Sequence, residues 1–516
     1  MRLQCMKQRR STGAINKFLS IGKQRRKKMK KLKKLFAAMV AMVMAFAMGV
    51  TVYAADITIT NGAAGSEYAA YRLLNATDGG EGKFAYTLND KYAAALKEVT
   101  GKTEDKDVIN YISGLDADGI RAFADAVFAK IKTLEPEAKT SDDKFSGVDQ
   151  GYYLIAETKT GDEGDTYSLV MLDTAGNDSV TVTTKEDRPE LEKKVKEKND
   201  STGAESDWQD AADYDIGDNV PFQLTGTVDA KYDKYGSYYY AFHDTMSDGL
   251  TFNADSVTVT VDGTAVTTGY EVVTEDLDDG CTFEVRFADL KNIKAVKAGS
   301  KVVVNYTAKL NENAVIGEGG NTNVSKLEYS NNPYGDGTGV TPEDKVIVFT
   351  YNLIANKVDG NNAPLEGAGF TLYKLDSTTG DYVAVGNEIT GVTTFYFKGV
   401  DAGRYKLVET TVPAGYNKAD DLVFSVEATY DTTSDNPELK TLVVKDASGK
   451  VVSEGTEAIF TATLRTGAVS TDVQNLSGTE LPATGGIGTK IFYTVGAIIM
   501  IVAAVLLITR KRTAKN

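Results

Sequence analysis

The sequence predicts a predominantly all-β protein of tandem antiparallel β-sandwiches, with a helical insertion in the first domain and an apolar segment at each end. Three observations carry this. Short runs of alternating apolar and polar residues recur between turn residues over most of the chain. The stretch "DGIRAFADAVFAKIKTL" instead repeats its apolar residues at helical spacing. Both termini hold uncharged apolar runs next to basic clusters.

The N-terminal run "MKKLKKLFAAMVAMVMAFAMGVTVYAAD" begins at Met29. It has a basic start, an apolar stretch from Leu35 and the small-residue site Val52-Tyr53-Ala54, so residues 1–54 are expected to be a leader with a secretory signal peptide. The basic residues before Met29 extend that leader rather than form a nucleic-acid arm.

Residues 55–187 are expected to be a first domain. It opens with the strands "DITITNG" and "YAAYRLL", passes through a helix whose face is Ile120, Phe123, Ala124, Val127, Phe128 and Ile131, and returns to strands in "GYYLIAET", "YSLVML" and "SVTVTT". Pro189 punctuates the boundary. Residues 190–349 read almost wholly as strand and turn, from "VPFQLTGTV" to "VSKLEYSNNP". Residues 350–477 repeat the style in shorter units such as "GFTLYKL" and "GRYKLVET", so two further sandwiches are expected, strung as beads through "DKVIVFTYNLIANK".

Residues 478–516 end the chain with "LPATGG", an apolar run and a basic tip. Ile491 to Thr509 carries no charge and as a helix would be about 28 Å long, close to the hydrocarbon thickness of a bilayer. Arg510, Lys511, Arg512 and Lys515 would hold the tip on the cytoplasmic side and leave the bulk of the chain outside.

Charge excludes one class of partner. Apart from the leader and the residues from 486 onward, the chain holds 38 basic against 72 acidic residues, a net charge of −34 that repels phosphate backbones, so no nucleic acid is expected. Cys5 lies in the leader and leaves Cys281 without a disulfide partner, so any covalent staple needs other chemistry.

The order "LPATG" (Leu481, Pro482, Ala483, Thr484, Gly485), apolar span and basic tail resembles the cell-wall sorting signal of Gram-positive surface proteins. The resemblance implies a sortase that attacks the Thr484 carbonyl, releases Gly485 onward and passes the acyl group to an amine. "APLEGAGFTLYKL" and "GRYKLVETTVPAGY" together resemble the collagen-binding-protein B-type module of Gram-positive adhesins and pilins, the second matching the E-box of pilin subunits. This resemblance implies immunoglobulin-like sandwiches of the collagen-binding-protein A and B types, and a spontaneous Lys–Asn isopeptide bond beside a buried acid. Carried onto this chain, it assigns Lys357 in "NKVDG", Glu409 in "LVET" as the acid, and Asn475 in "VQNLSG". Leu353, Ala355 and Lys357 share one strand face, which supports the lysine. An apolar core favours a neutral, nucleophilic amine and a protonated acid able to polarise the carboxamide.

The pattern "YAFHDTMSDGLTF" resembles the middle domain of pilin shaft proteins and offers Asp244 as the acid. Lys193 or Lys194 and Asn331 or Asn332 are its candidate partners; alternation with Leu191 and Val195, and with Leu327 and Tyr329, selects Lys193 and Asn331. In the first domain Glu157 resembles the E-box glutamate, but "DITITNG" has no lysine and no bond is expected there. Pilin shafts carry a V-Y-P-K lysine that accepts the threonine of the next subunit; "SVTVTTKEDRP" puts Lys185 in that register with Thr183 and Thr184 replacing Tyr and Pro.

The remaining candidates read as structural. His243 falls opposite Asp244 in the alternation and is expected on the exposed surface, "DLDDG" as a solvated turn, Cys281 as a buried thiol and "GEGG" as a turn. Neither a nucleophile motif nor a metal-ligand cluster emerges, so no enzyme activity, cofactor or metal is expected. The expected function is a structural subunit of a covalently polymerised pilus on the wall of a Gram-positive bacterium. Its partners would be a sortase, identical subunits, peptidoglycan and possible minor pilins or a host ligand. A monomeric wall-anchored adhesin or minor pilin is the alternative.

Overall fold

A computed structural model describes residues 54–478, apart from 62–64, 162–164 and 185–187. The leader up to residue 53, Lys185, the stretch Leu481–Gly485 and the apolar tail lie outside the described residues. Among those described, no helix is long and apolar enough to cross a membrane.

The first region pairs a three-stranded sheet, in which Ala54–Thr60 lies between Lys144–Asp149 and Ser179–Thr183, with a five-stranded sheet built around Glu67–Asp78 and Gly151–Lys159. The run "YAAYRLL" is buried on both faces. Tyr68 and Ala70 pack towards the smaller sheet with Ile57 and Ile59, while Ala69, Tyr71 and Leu73 pack towards the helices. The insertion is three helices, Ala93–Thr100, Asp105–Gly114 and Ala117–Ile131, rather than one. Asp116 caps the third, its side chain accepting from the Gly119 amide at 3.0 Å, and Phe123, Ala124, Val127, Phe128 and Ile131 are its buried face.

In the middle region a six-stranded sheet carries Leu191–Lys198, Asn219–Thr227 and Lys301–Leu310, and a seven-stranded sheet carries Tyr240–Met246, Asn321–Ser330 and Asp344–Phe349. Strict alternation fills the space between them: Val302, Val304, Tyr306 and Ala308 point inward from one sheet, Tyr240, Phe242, Leu327 and Tyr329 from the other. The C-terminal region packs a four-stranded sheet on a six-stranded one. Its first strand, Tyr351–Val358, runs parallel to its last, Ala468–Gln474, with Lys357 opposite Val473.

The regions are joined more tightly than beads. Only Thr350, fully buried, separates the strand Asp344–Phe349 of the middle sandwich from Tyr351–Val358 of the next. Beside it the Ile216 amide donates to the Gly399 carbonyl at 2.8 Å, and Lys374 gathers Asp200, Asp215 and Asp401 at 3.0, 2.7 and 2.7 Å. Gly399 has φ +72°, and a Cβ there would collide with Ile216, so both the turn and the close approach require glycine. Between the first two regions the Phe128 and Tyr334 rings meet edge to face at 5.2 Å, and the Tyr334 hydroxyl donates to Asp125 at 2.5 Å.

Candidate crosslinking sites

In the C-terminal sandwich three polar side chains converge where apolar ones are the rule. Lys357 comes from the first strand, Glu409 from Gly403–Thr411 in the opposite sheet, and Asn475 directly follows the last strand. All three are buried. The Lys357 Nζ lies 3.6 Å from Glu409 Oε1 and donates to the Val473 carbonyl at 2.8 Å. Glu409 Oε1 accepts from Asn475 Nδ2 at 2.7 Å and Oε2 from the Ala419 amide at 2.7 Å. Burial pushes the Lys357 amine below its ordinary pKa, towards the neutral nucleophile. Asn475 Oδ1 is buried without a hydrogen-bond partner. Rotating the carboxamide by half a turn presents that oxygen to the Glu409 carboxyl.

The middle sandwich holds a second such cluster. Lys193 and Asp244 reach each other from opposite sheets, both fully buried, with the ammonium group hydrogen-bonded to Asp244 Oδ2. The Tyr306 hydroxyl bridges them, accepting from Lys193 at 2.8 Å and donating to Asp244 Oδ2 at 2.7 Å. Burial pushes Lys193 down and Asp244 up, so desolvation drives both towards their uncharged forms. Lys194, on the other face of the strand, pairs instead with Asp210 at 2.5 Å.

The asparagine at this centre is Asn323, not Asn331. Asn323 Nδ2 donates to the Tyr306 hydroxyl at 3.0 Å, and its Oδ1, like Asp244 Oδ1, is buried without a partner. Asn331 does lie on the same buried face as Leu327 and Tyr329, but eight residues further on, roughly 26 Å along an extended chain. It has left the strand, and its Nδ2 donates to the Asp165 carbonyl of the first region at 3.3 Å. Parity along the strand selects the face and says nothing of the position along it. The available signal was "NTNVS", where Asn321, Asn323 and Ser325 put polar groups on the face that Leu327 and Tyr329 continue. Tyr306 also escaped sequence reading, because a tyrosine among inward valines reads as core.

Glu157 in the first region is buried, accepts from Ser66 Oγ at 2.9 Å and from the Ser168 amide at 3.2 Å, and is pushed up to about 7 by burial. The adjoining strand Ala54–Thr60 presents Ala55, Ile57 and Ile59 inward. His243 is buried and not at the exposed surface: the turn bearing Asp279 and Cys281 folds over it, and Glu328 on the neighbouring strand meets its Nε2 at 3.2 Å.

Residues 216–333 match the family described as Gram-positive pilin backbone subunit 2, Cna-B-like domain. Residues 351–438 match a prealbumin-like fold domain, and 477–515 the LPXTG cell wall anchor motif. Over 335 residues the chain is 29% identical to the trypsin-resistant surface T6 protein of Streptococcus pyogenes serotype M6, covering 52% of this chain and 60% of that relative. The solved structure of the T6 backbone pilin of serotype M6 Streptococcus pyogenes, a modular three-domain structure, superposes with a TM-score of 0.51 at 20% identity, over 84% of this chain and all of that one. The full-length major pilin SpaD of Corynebacterium diphtheriae is 18% identical, with a TM-score of 0.46 over 84% of this chain and 99% of its own.

Proposed function

We propose that this chain, whose middle region, C-terminal region and tail match the pilin-backbone, prealbumin-like and cell-wall-anchor models, is the shaft subunit of a covalently polymerised, wall-anchored pilus. A sortase would cleave between Thr484 and Gly485 and pass the Thr484 acyl group to a lysine of the next subunit, with Lys185 the first candidate. The last subunit added would be passed to peptidoglycan in the same way.

The observation that carries the reading is the pair of buried Lys–acid–Asn clusters in consecutive sandwiches, together with the C-terminal sorting sequence. In each cluster the neutral amine would attack the asparagine carboxamide carbon. The protonated acid stabilises the developing oxyanion, a proton moves from the amine to the leaving nitrogen, and ammonia departs to leave a secondary amide. The fold supplies proximity in place of a catalyst that turns over. Lys357 would join Asn475, and Lys193 would join Asn323, so that tension enters covalent bonds before the sheets slide. Adhesion would follow from length and stiffness, with minor pilins or a host ligand at the tip.

The test is a denaturing gel of wall extracts from cells expressing the chain with its cognate sortase. A high-mass ladder that collapses to monomer with Lys185→Ala supports the shaft. A ladder that survives moves the acceptor to another lysine, with Lys193 excluded by burial and Lys194 and Lys196 next in line. The absence of a ladder from the unmutated chain would favour a monomeric adhesin.

A further inference from the structure

On the outer face of the middle sandwich, one residue from Asp244, four side chains of three donor types turn towards a single point. His243 projects outward from Tyr240–Met246 and lies directly opposite Glu284 on the neighbouring strand Phe283–Phe287. The turn leading into that strand brings Asp279 and Cys281 over the imidazole. His243 Nδ1 is 3.0 Å from Asp279 Oδ2, 3.4 Å from Glu284 Oε1 and 4.0 Å from Cys281 Sγ, and all four donor atoms lie within 4.8 Å of one another. His243, Cys281 and Glu284 are buried, and Asp279 forms the rim, its side chain 27% exposed.

The groups behind these donors point the right atoms inward. Glu328 faces His243 Nε2 at 3.2 Å, and a hydrogen bond from that nitrogen leaves Nδ1 as the lone-pair donor, the carboxylate–histidine arrangement common around bound zinc. Arg286 holds Glu284 by Oε2, at 2.9 and 2.6 Å, and so leaves Oε1 towards the cluster. Lys326 pairs with Asp279 at 2.9 Å and, with Arg286, offsets the charge of the three carboxylates. The alternative without an ion is a protonated imidazole held among carboxylates. In that arrangement the thiol only hydrogen-bonds to Asp279, whereas an ion would take its sulfur as a ligand.

We propose that His243, Asp279, Cys281 and Glu284 form a four-ligand site for a zinc-class transition metal ion. One nitrogen, one sulfur and two oxygen donors in a compact, closed set suit tetrahedral zinc, whereas magnesium and calcium prefer all-oxygen shells. Binding displaces the Cys281 thiol proton to solvent, and a proton from Nδ1 as well where the imidazole is charged. Because the thiol binds only as the thiolate, affinity should rise with pH. The ion would pin the 276–281 turn to the strand that carries Asp244 on its other face, fastening the sheet from outside where the Lys193 cluster fastens it from within.

The experiment is a calorimetric titration of the mature chain, residues 55–484, with zinc and cobalt chloride after chelator treatment, in a buffer free of phosphate. One ion per chain is expected, together with a thiolate-to-cobalt charge-transfer band in the near ultraviolet. Cys281→Ser, nearly isosteric, should abolish that band. It and His243→Ala should each weaken binding by roughly 10–100-fold or more, and Glu328→Gln by about 10-fold. Unchanged far-ultraviolet circular dichroism and intact mass would show that each variant has folded. Failure of the unmutated chain to bind stoichiometrically, or an affinity unchanged from the parent in Cys281→Ser and His243→Ala, would overturn the site, the second result meaning adventitious binding to surface carboxylates.

Discussion

Asn323 donates to the Tyr306 hydroxyl at 3.0 Å across the gap between two sheets, and that hydroxyl in turn bridges Lys193 and Asp244. The four residues form one connected polar network inside an apolar sandwich. Each member is costly to bury alone, so their shared occupancy of the core points to chemistry between them.

The first prediction follows from that network. The mature chain should weigh less than its sequence mass by ~17 Da per bond, one ammonia each, and two such losses are expected. Asn323→Ala should remove one of them and Asn331→Ala neither. Intact-mass spectrometry reads this directly; a full deficit in Asn323→Ala would return the middle crosslink to another asparagine.

Glu409→Ala should remove the other loss, because Lys357 and Asn475 then lack the acid between them. Closing a loop of more than a hundred residues is worth roughly 4–5 kcal/mol by chain entropy, so the C-terminal sandwich of the variant should melt well below the parent in calorimetry. A variant that keeps its mass deficit would show that a different acid activates the amide.

The wider fold was legible because burial follows alternation. "YAAYRLL", buried on two faces, and the apolar stripe of the Ala117–Ile131 helix both stand in the sequence as they stand in space. Lys193, Lys357, Glu409 and Asn475 were reached through parity and resemblance, and all four are buried together with their neighbours. What alternation cannot convey is translation along a strand: the parity that selects Asn331 over Asn332 holds equally for Asn323, eight residues earlier. Nor can it convey what covers the far side of a sheet: His243 does face outward, but a turn some 36 residues later folds over it.

Glu157 supplies a pH prediction. Its carboxyl is pushed from the ordinary 4.5 up to about 7, so between those values the folded state holds a proton that the unfolded state has released. The first region should therefore lose stability as pH rises through that window, by up to roughly 3 kcal/mol if the full shift applies. Thermal scans between pH 4.5 and 7.5 should show this slope in the parent, and Glu157→Gln should flatten it.

Lys374→Met should loosen the junction between the last two sandwiches. It leaves Asp401, fully buried, and Asp215 without their shared cation, a loss on the order of 3–5 kcal/mol for a broken buried pair. Limited proteolysis near Thr350, and small-angle scattering of the mature chain, should report a more cleavable and more bent molecule. Identical profiles would mean that the Thr350 crossover alone sets the angle.

The parallel pairing of Tyr351–Val358 with Ala468–Gln474 has an evolutionary side. Were Lys357 joined to Asn475, a pull entering at Thr350 would run down one short strand and cross the new amide directly to the end of the last strand. The intervening chain, with most of the sandwich in it, would become a side loop on a tensioned thread. Such a loop would be free to lengthen, change its surface residues or acquire insertions without weakening the thread, so sequence variation should concentrate at its exposed positions between residues 358 and 474 rather than in the strand that bears the pull.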